Sequence, residues 1–575
     1  MSCHRSVVFA SLLVAAVTVT RAATAASAWK VVYSERGTTT GFYDATPTTA
    51  VGGNTGKTLG EQRRIAFEKA VSIWADVVSS SVPLSIEATM TALSCDTNAA
   101  ILGQASAASA VALAATNGAR ELAYPIALAN ALDGSDMEPE STSNPSGAEI
   151  FAEFNSNLGK AGCLEGTNFY LGLDGNAGVD SDFLGVVLHE LGHGFGFSSF
   201  LDFATAEPLL AKIPDAYSTH ILDLDRGAAW DTLSQPQLLA SFKNARRVVW
   251  NGSHVTQAIP RYLVRGTPRI TVSPALSGLS GMLSEHDDGP KLADKPVTGP
   301  LAVPNPATGC GRPSNAAALV GAIALVDPGT TCHPLEAVAY MQDARVAAVI
   351  AVDSTAVRPP AMINGILEGQ TIAVVTIHPN DARLLSTEAV GRTVTLDGDA
   401  TTYIGADAGG RLYLNMTDPV VEGTSISHWD ALARNQLLME PERSAGHIDV
   451  DLTREFMWDL GWPICGDGTL QGIEVCDDGN RVDTDSCHND CTRNSTSVLG
   501  QGGSASTTTA PILGSGGSTS PTTTPTTAAN PNGGNQVSCS CRLLGVSSVH
   551  GGAPFLLATF FFVRRRYAAA RHRRR

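Results

Sequence analysis

Basic residues are scarce in this chain. Its 575 residues include 39 Lys and Arg against 55 Asp and Glu, which gives a formal charge of −16 at pH 7. The terminal segments 1–28 and 539–575 hold ten arginines and no acidic residue, so the body between them carries −26. A body this acidic repels nucleic acids and anionic membrane surfaces. The composition therefore excludes nucleic acid as a partner and is compatible with a soluble extracellular enzyme.

Long hydrophobic runs are also scarce. The N-terminal apolar stretch, residues 7–19, is short for a membrane-spanning helix, so a permanent anchor is the weaker alternative. Arg5 precedes this stretch and Ala-Ser-Ala at 26–28 follows it, which is the pattern of a secretory signal peptide. We therefore predict a signal peptide at residues 1–28 and export to a compartment where disulfides form.

The sequence contains neither an evident nucleophilic Ser or Cys constellation nor a glycine-rich loop that could cradle a phosphate. Its most informative feature is His-Glu-Leu-Gly-His at residues 189–193. Positions i and i+4 share one face of a helix, so His189 and His193 can bind one metal ion. Glu190 can then hold the water that a zinc ion activates and accept its proton.

The residues around this motif favour a metal site. Phe183, Val186 and Val187 give the preceding turn an apolar face, and Gly194 and Gly196 let the chain turn after the second histidine. The alternative is a core helix with two hydrogen-bonded histidines. Burying two histidines and a glutamate on one apolar helix is costly without a metal or other partners, which argues against that alternative.

A catalytic zinc needs a third protein ligand and keeps the fourth position for water. Metzincins place Gly three residues after the second His and a third His three residues later. Gly196 matches this pattern, but Ser199 stands where the third His would be. The third ligand must come from elsewhere, and the candidates are His428, in Ser-His-Trp, and His447.

The helix motif, the Ser-His-Trp around His428 and the later Leu-Met at Met439 resemble the leishmanolysin-like metzincins. The resemblance implies an α+β catalytic domain, with a twisted sheet and helices, that hydrolyses peptide bonds. It implies His189, His193 and His428 as ligands of one catalytic Zn²⁺, Glu190 as general base and Met439 as the Met-turn beneath the metal.

The chain is too long for one ordinary domain. We assign the catalytic domain to residues 29–264 and 401–463. Its first part has a strand pattern at 29–33, a helix pattern from near Leu59 and an alternating strand pattern at 82–90. We predict a closing helix over residues 449–462 that packs against the catalytic domain.

Residues 265–400 form a predicted insertion that separates the two parts of the catalytic domain. Apolar strand patterns at 320–327 and 347–353 flank a helix pattern at 335–344. This order resembles the protease-associated domain, which implies a β-rich, non-catalytic module for substrate access or interaction. A large α/β insertion of another kind is the alternative and leaves the predicted function unchanged.

Eleven cysteines fit an exported protein. Cys95 and Cys163 can pair across the catalytic domain, and Cys310 and Cys332 can pair within the insertion. Residues 464–493 resemble the cysteine-rich repeats of myxobacterial surface proteins, with the cysteines Cys465, Cys476, Cys487 and Cys491. Four cysteines allow three pairings, and a second zinc site is the rival interpretation. The Asp-Gly turns of this segment could bind Ca²⁺, although solvated turns explain them equally well.

The C-terminal segments predict attachment to the cell surface. Residues 494–538 are Ser, Thr, Gly and Pro with almost no charge, which is typical of a flexible linker. Residues 539–575 combine a Cys-Ser-Cys motif, a short apolar stretch and arginine clusters. They resemble the C-terminal sorting tail of myxobacterial exported proteins, which implies processing near the cysteines and a membrane or cell-surface location. A retained single-span anchor is the alternative.

Three functions remain compatible with these patterns. They are a surface-attached zinc endopeptidase acting on proteins or peptides, a binding protein on an inactive protease scaffold, and a structural adhesin. Glu190 favours the first, because an inactive scaffold has no need of that carboxylate. A purely structural zinc site would also usually have four protein ligands. The sequence leaves the oligomeric state open.

Overall fold

The computed structural model describes residues 29–463 except 98, 115–119, 143, 211, 287, 364–365, 422, 434–436 and 442–447, and beyond residue 463 only 476–478, 487, 539–540 and 566–567. The predicted signal peptide 1–28, the linker 494–538 and most of the segments 464–493 and 539–575 therefore lie outside the described residues. Among the described residues, no helix is long and apolar enough to cross a membrane.

The described residues of the first part of the chain form eleven strands and six helices. The strands are β1 Trp29–Tyr33, β2 Leu84–Thr91, β3 Gly103–Ala107, β4 Ala110–Ala114, β5 Glu121–Pro125, β6 Ile150–Asn155, β7 Phe169–Tyr170, β8 Ser181–Asp182, β9 Ile221–Asp223, β10 Ala228–Ala229 and β11 Val248–Trp250. The helices are α1 Leu59–Ala75, α2 Ile126–Asp133, α3 Phe183–Gly194, α4 Ala216–Thr219, α5 Gln235–Ser241 and α6 Ser253–Tyr262, with short 3₁₀ helices at Gly41–Tyr43 and Trp230–Thr232.

A twisted sheet carries α1 and α3. Strands β1, β2 and β6 run parallel, and β3 joins β6 in the antiparallel direction. Residues Cys539–Ser540 pair with the other edge of β3. Helix α1 begins with a capping box, in which the Thr58 side chain accepts the Glu61 N–H and the Glu61 carboxylate accepts the Thr58 N–H. This fixes the residue at which α1 starts.

Helix α1 supports α3 through buried aromatic side chains. Trp74 is fully buried, and its indole N–H donates to the Leu188 carbonyl of α3 at 3.0 Å. Phe67 and Phe183 both pack edge-on against Phe154 of β6, with ring centroids 5.9 and 5.2 Å away. The helix with the His-Glu-Leu-Gly-His motif is therefore held between α1 and the sheet.

The inserted segment forms a seven-stranded sheet of its own. Its strands are β12 Arg265–Ser273, β13 Leu283–Glu285, β14 Val297–Ala302, β15 Ile323–Val326, β16 Ala348–Val352, β18 Ala373–Ile377 and β19 Thr393–Tyr403, in the order β12-β19-β14-β15-β16-β18-β13. Its other elements are β17 Ile366–Leu367 and the helices α7 Ala316–Leu319, α8 Pro334–Asp343 and α9 Pro379–Glu388.

Both faces of this second sheet are covered by helices. Ile350 of β16 belongs to the core that includes Leu385 of α9, whereas Val349 belongs to the core that includes Met341 of α8. Adjacent residues of one strand point to opposite faces, so β16 reads as a continuous apolar run. The strand and helix patterns predicted at 320–327, 335–344 and 347–353 correspond to β15, α8 and β16.

The chain then returns to the first core through residues 404–463. This part has a 3₁₀ helix at Ala431–Ala433 and the helix α10 Thr453–Leu460. The predicted closing helix, 449–462, is shorter than expected. Asp451 accepts the Thr453 N–H at 3.1 Å before the helix starts, and Gly461, with φ of 100°, ends it in the left-handed conformation. The α+β class is confirmed, and the domain boundaries stay predictions. Two further two-residue strands are β20 Cys539–Ser540 and β21 Arg566–Tyr567.

Glu149 is a buried carboxyl beside β6. It is 3% exposed, and its Oε2 accepts the Ser85 N–H at 2.6 Å while its Oε1 accepts the Asn130 amide at 3.3 Å. Burial raises the pKa of Glu149 to about 7. Because this folded-state pKa lies above the ordinary value of 4.5, the folded chain favours the protonated form. The resulting stability is fully present below pH 4.5 and is lost as the pH rises through 7.

We therefore expect Glu149→Gln, which stays neutral at every pH, to gain stability over the native chain as the pH rises from 4.5 to 7, and to keep that gain in alkaline solution. The melting temperature of the variant should exceed that of the native chain by about 2–4 °C at pH 8.5 for each kcal/mol gained, and should match it at pH 4. Thermal unfolding at both pH values checks this. An equal difference at the two pH values would contradict the raised pKa.

Candidate metal centre

Helix α3 places two histidines inside the core. All residues of Phe183–Gly194 are buried, and His189 and His193 are 0% and 1% exposed. They stand one turn apart on the same face, with their Nε2 atoms 3.1 Å from each other. The helix ends where Gly196 takes a φ of 123° and the chain turns away.

The third histidine comes from the distant part of the chain. His428 is 0% exposed, and its Nε2 lies 3.1 Å from the Nε2 of His189. One ligand atom from each of His189, His193 and His428 can be chosen so that all three lie within 4.8 Å of one another. Among the residues that the structure describes, this is the only group of three or more His, Cys, Asp or Glu that could hold a metal ion.

A backbone carbonyl orients each of these imidazoles. The Nδ1 atoms of His189, His193 and His428 lie 2.6, 2.9 and 3.0 Å from carbonyl oxygens. These oxygens belong, in the same order, to Leu438, Phe197 and Thr424. A carbonyl only accepts, so each Nδ1 must carry the hydrogen, and each Nε2 then presents a lone pair. The contacts thus select the tautomer that a metal requires at Nε2.

Two of the three imidazoles, those of His193 and His428, are also held neutral. Burial lowers the pKa of His193 to about 4. Burial, and secondarily the charge of His193, lowers the pKa of His428 well below its ordinary value. Three lone pairs that face one another without protons repel each other, and a shared cation removes that repulsion. The arrangement therefore fits a metal ion, and imidazole ligands suit zinc, copper, iron and nickel.

Glu190 is fully buried between α3 and β3. A Cβ placed on Gly103 of β3 would lie 2.9 Å from the Glu190 Cγ and 3.0 Å from its Oε1. The carboxyl therefore packs directly against the backbone of β3, and any side chain at position 103 would displace it. The motif sequence predicts the carboxyl, but no signal in it points to Gly103.

Met439 lies against α3. A Cβ placed on Gly192 would be 2.6 Å from the Met439 Sδ, so the thioether occupies the space that this glycine leaves. The Met439 carbonyl accepts the Trp429 N–H at 2.9 Å, next to His428. Met439 thus contacts both α3 and the segment of the third histidine.

We expect Gly192→Ala to destabilise the chain by about 1–3 kcal/mol, because the new methyl group and the Met439 sulfur cannot occupy the same space. Displacement of Met439 should also move the Trp429–His428 segment and weaken metal binding. Thermal unfolding and a metal titration measure the two effects. Gly311→Ala is a matched control, because nothing lies within 4 Å of a Cβ at that position. Native behaviour of Gly192→Ala would contradict this packing.

The sequence also singles out Ser199, His447 and eight cysteines. Ser199, which stands in the metzincin His position, is buried and donates to Asp215 Oδ2 at 3.0 Å. His447 lies outside the described residues. Disulfides join Cys95 to Cys163, Cys310 to Cys332 and Cys476 to Cys487, whereas Cys465 and Cys491 lie outside the described residues.

Comparisons with known proteins add little to this geometry. The family model described as Domain of unknown function (DUF4215) matches residues 462–492, within and just before the predicted cysteine-rich segment. No curated protein matches the chain. One similar solved structure is the zinc aminopeptidase BSAP from Bacillus subtilis, at 18% identity and a TM-score of 0.18, over 28% of this chain and 37% of that one. Another is the psychrophilic subtilisin-like protease Apa1 from Pseudoalteromonas sp. AS-11, at 15% identity and a TM-score of 0.19, over 25% and 35% of the two chains.

The chain thus spans little more than a third of each of these two proteins. TM-scores this low support no conclusion about fold or activity.

Proposed function

We propose that this chain is a zinc-dependent endopeptidase that is exported and attached to the cell surface. The observation that carries the proposal is the convergence of the imidazoles of His189, His193 and His428 beside the buried Glu190. Three protein ligands with a carboxylate next to them are the composition of a catalytic zinc site, in which the fourth position is kept for water.

The histidines and Glu190 would have separate roles in the reaction. The three histidines would hold the metal through Nε2, each fixed by the carbonyl at its Nδ1. Zinc, when bound, supplies Lewis-acid activation of a water molecule and of the peptide carbonyl. Glu190 accepts the proton of the attacking water and delivers it to the leaving amine. Its contact with Gly103 limits the positions that this carboxyl can take.

Strand β3 is a suitable support for an extended substrate. It forms part of the main sheet next to Glu190, and its edge pairs with the extended residues Cys539–Ser540 of the same chain. Extended peptides bind sheet edges through backbone hydrogen bonds, with little dependence on sequence. This favours proteins or peptides as substrates over small molecules.

The finer parts of the proposal come from the sequence. The order of the motif helix, the Ser-His-Trp segment and Met439 resembles the leishmanolysin-like metzincins, and the contact of Met439 with Gly192 supports the role of a Met-turn. Export and surface attachment depend on residues 1–28 and 539–575. The inserted segment, residues 265–400, would be a non-catalytic module of the protease-associated type.

The experiment measures metal content and casein hydrolysis on one preparation of the full chain. We expect about one zinc per chain, loss of cleavage with a chelator and recovery when zinc is added back. A chain with zinc but no cleavage would favour the inactive binding protein instead. A chain that binds no zinc would overturn the proposal.

A further inference from the structure

Arg246, in the first part of the chain, contacts both the inserted segment and the residues that follow His428. It follows α5 in the first part of the chain, its side chain is 9% exposed, and all three nitrogens of its guanidinium have partners. Nη1 donates to the Leu283 carbonyl at 2.7 Å, and Nη2 donates to the Ser284 Oγ at 2.9 Å. Nε donates to Asp430 Oδ1 at 3.3 Å. One side chain therefore joins strand β13 of the inserted segment to the residue two positions after His428.

Asp430 is itself part of the support of His428. Its carboxylate is fully buried, and the same Oδ1 accepts the Leu432 N–H at 2.8 Å. Its backbone N–H donates to the Tyr413 carbonyl at 3.0 Å, and the N–H of its neighbour Trp429 donates to Met439. A buried carboxylate of this kind depends on a nearby cation, because burial without one is costly. Arg246 supplies that cation.

The inserted segment also contacts the loop that leads into His428, at Asp418. Arg358 and Asp418 exchange two backbone hydrogen bonds, at 3.2 and 3.0 Å. Next to Asp418, the Thr417 hydroxyl lies 2.5 Å from the Ser425 hydroxyl, and the adjacent Thr424 carbonyl orients the His428 Nδ1. The loop is thus bound to the insertion before and after the histidine.

The two contacts are connected within the inserted segment. The Ser284 hydroxyl, which accepts from Arg246, donates to the Pro360 carbonyl at 2.7 Å, two residues after Arg358. Arg246 has a φ of 53°, a left-handed conformation that is strained for a residue with a side chain and persists where the surroundings fix it. The guanidinium contacts provide such surroundings.

We infer that Arg246 is a positioning residue for the third metal ligand, and that through it the inserted segment sets the geometry of the metal centre. This inference rests on the proposed function, since it assigns a role toward the metal that His428 would bind. It makes the insertion a structural part of the centre rather than an appended module. A displacement of β13 would move Asp430 and, with it, His428.

The test compares metal binding by the full chain and by its variants. Cobalt(II) is the probe, because its visible absorption reports the ligand geometry, and its affinity is measured by competition with a chelator. Arg246→Met removes all three contacts. Ser284→Ala is a milder change, made entirely on the inserted segment. Arg269→Met is the matched control, because Arg269 pairs with Asp397 on the exposed part of the same insertion.

We expect Arg246→Met to weaken cobalt binding about tenfold, the low end of the effect of removing a direct hydrogen-bond partner of a metal ligand, because Arg246 acts on His428 through Asp430. The absorption spectrum should change as well. Ser284→Ala should weaken binding about fivefold, as expected for one hydrogen bond. The double variant Arg246→Met/Asp430→Asn also removes the Asp430 carboxylate that Arg246→Met would leave without its cation. It takes the place of Arg246→Met in the test if that variant does not fold. Arg269→Met should match the native chain.

Each outcome decides a different question. If the native chain binds cobalt and the folded Arg246 and Ser284 variants match its affinity and spectrum, the positioning role is wrong while the proposed function stands. A native chain that binds no cobalt would overturn the proposed function and this inference together. Weaker binding with an altered spectrum at a temperature where the variants remain folded would support the inference.

Discussion

Glu190→Gln should retain the metal and lose peptide hydrolysis by about 10²–10⁴-fold, the usual contribution of a general base. The substitution preserves the size of the side chain and its packing against Gly103, but an amide cannot accept the proton of the attacking water. The three histidines and their carbonyl partners remain unchanged. Cleavage of casein and zinc content, measured on the same preparation, check both parts.

Glu149→Gln is a suitable control for this experiment. Glu149 is also a buried carboxyl, 3% exposed, but its partners are Ser85 and Asn130. We expect this variant to cleave casein at the native rate near neutral pH. Full activity in Glu190→Gln would remove Glu190 from the mechanism. Loss of zinc in Glu190→Gln would instead indicate that the carboxyl stabilises the site rather than acting in proton transfer.

His428→Ala should lose more metal affinity than the roughly 10–100-fold typical of an outer hydrogen-bond partner, because it removes a ligand outright. Two imidazoles on one helix, those of His189 and His193, would remain, and they do not complete a catalytic zinc site. Hydrolysis should disappear at zinc concentrations that saturate the native chain. Zinc titration by calorimetry measures the loss.

Two further variants decide whether the effect belongs to His428. His220→Ala removes a half-buried imidazole, which stacks on Trp250 with ring centroids 5.0 Å apart, so it controls for loss of stability alone. His447→Ala tests the competing ligand from the sequence. We expect both to bind zinc at the native level. If His447→Ala loses zinc and His428→Ala retains it, the assignment of the third ligand is wrong.

Several local elements could be predicted because their causes are local. The apolar spacing from Leu59 onward predicts α1, and the strand patterns at 29–33 and 82–90 predict β1 and β2 to within a few residues. The closing helix was predicted too long, since the left-handed turns at Asp451 and Gly461 are not visible in the hydrophobic pattern. Periodicity locates an element better than its ends.

The sequence by itself determined which side chains one helix brings to the candidate centre. His189, Glu190 and His193 occupy neighbouring positions on one helix, so the 3.6-residue period alone puts the two imidazoles on one face. Only the tertiary structure decided how the centre is completed. His428 lies 239 residues from His189 in sequence, and the carbonyl that orients His189 belongs to Leu438, 249 residues away. Contacts at such separations depend on how whole sheets and loops pack, which local spacing does not encode. The same holds for Gly103 beside Glu190 and for Arg246 between β13 and Asp430.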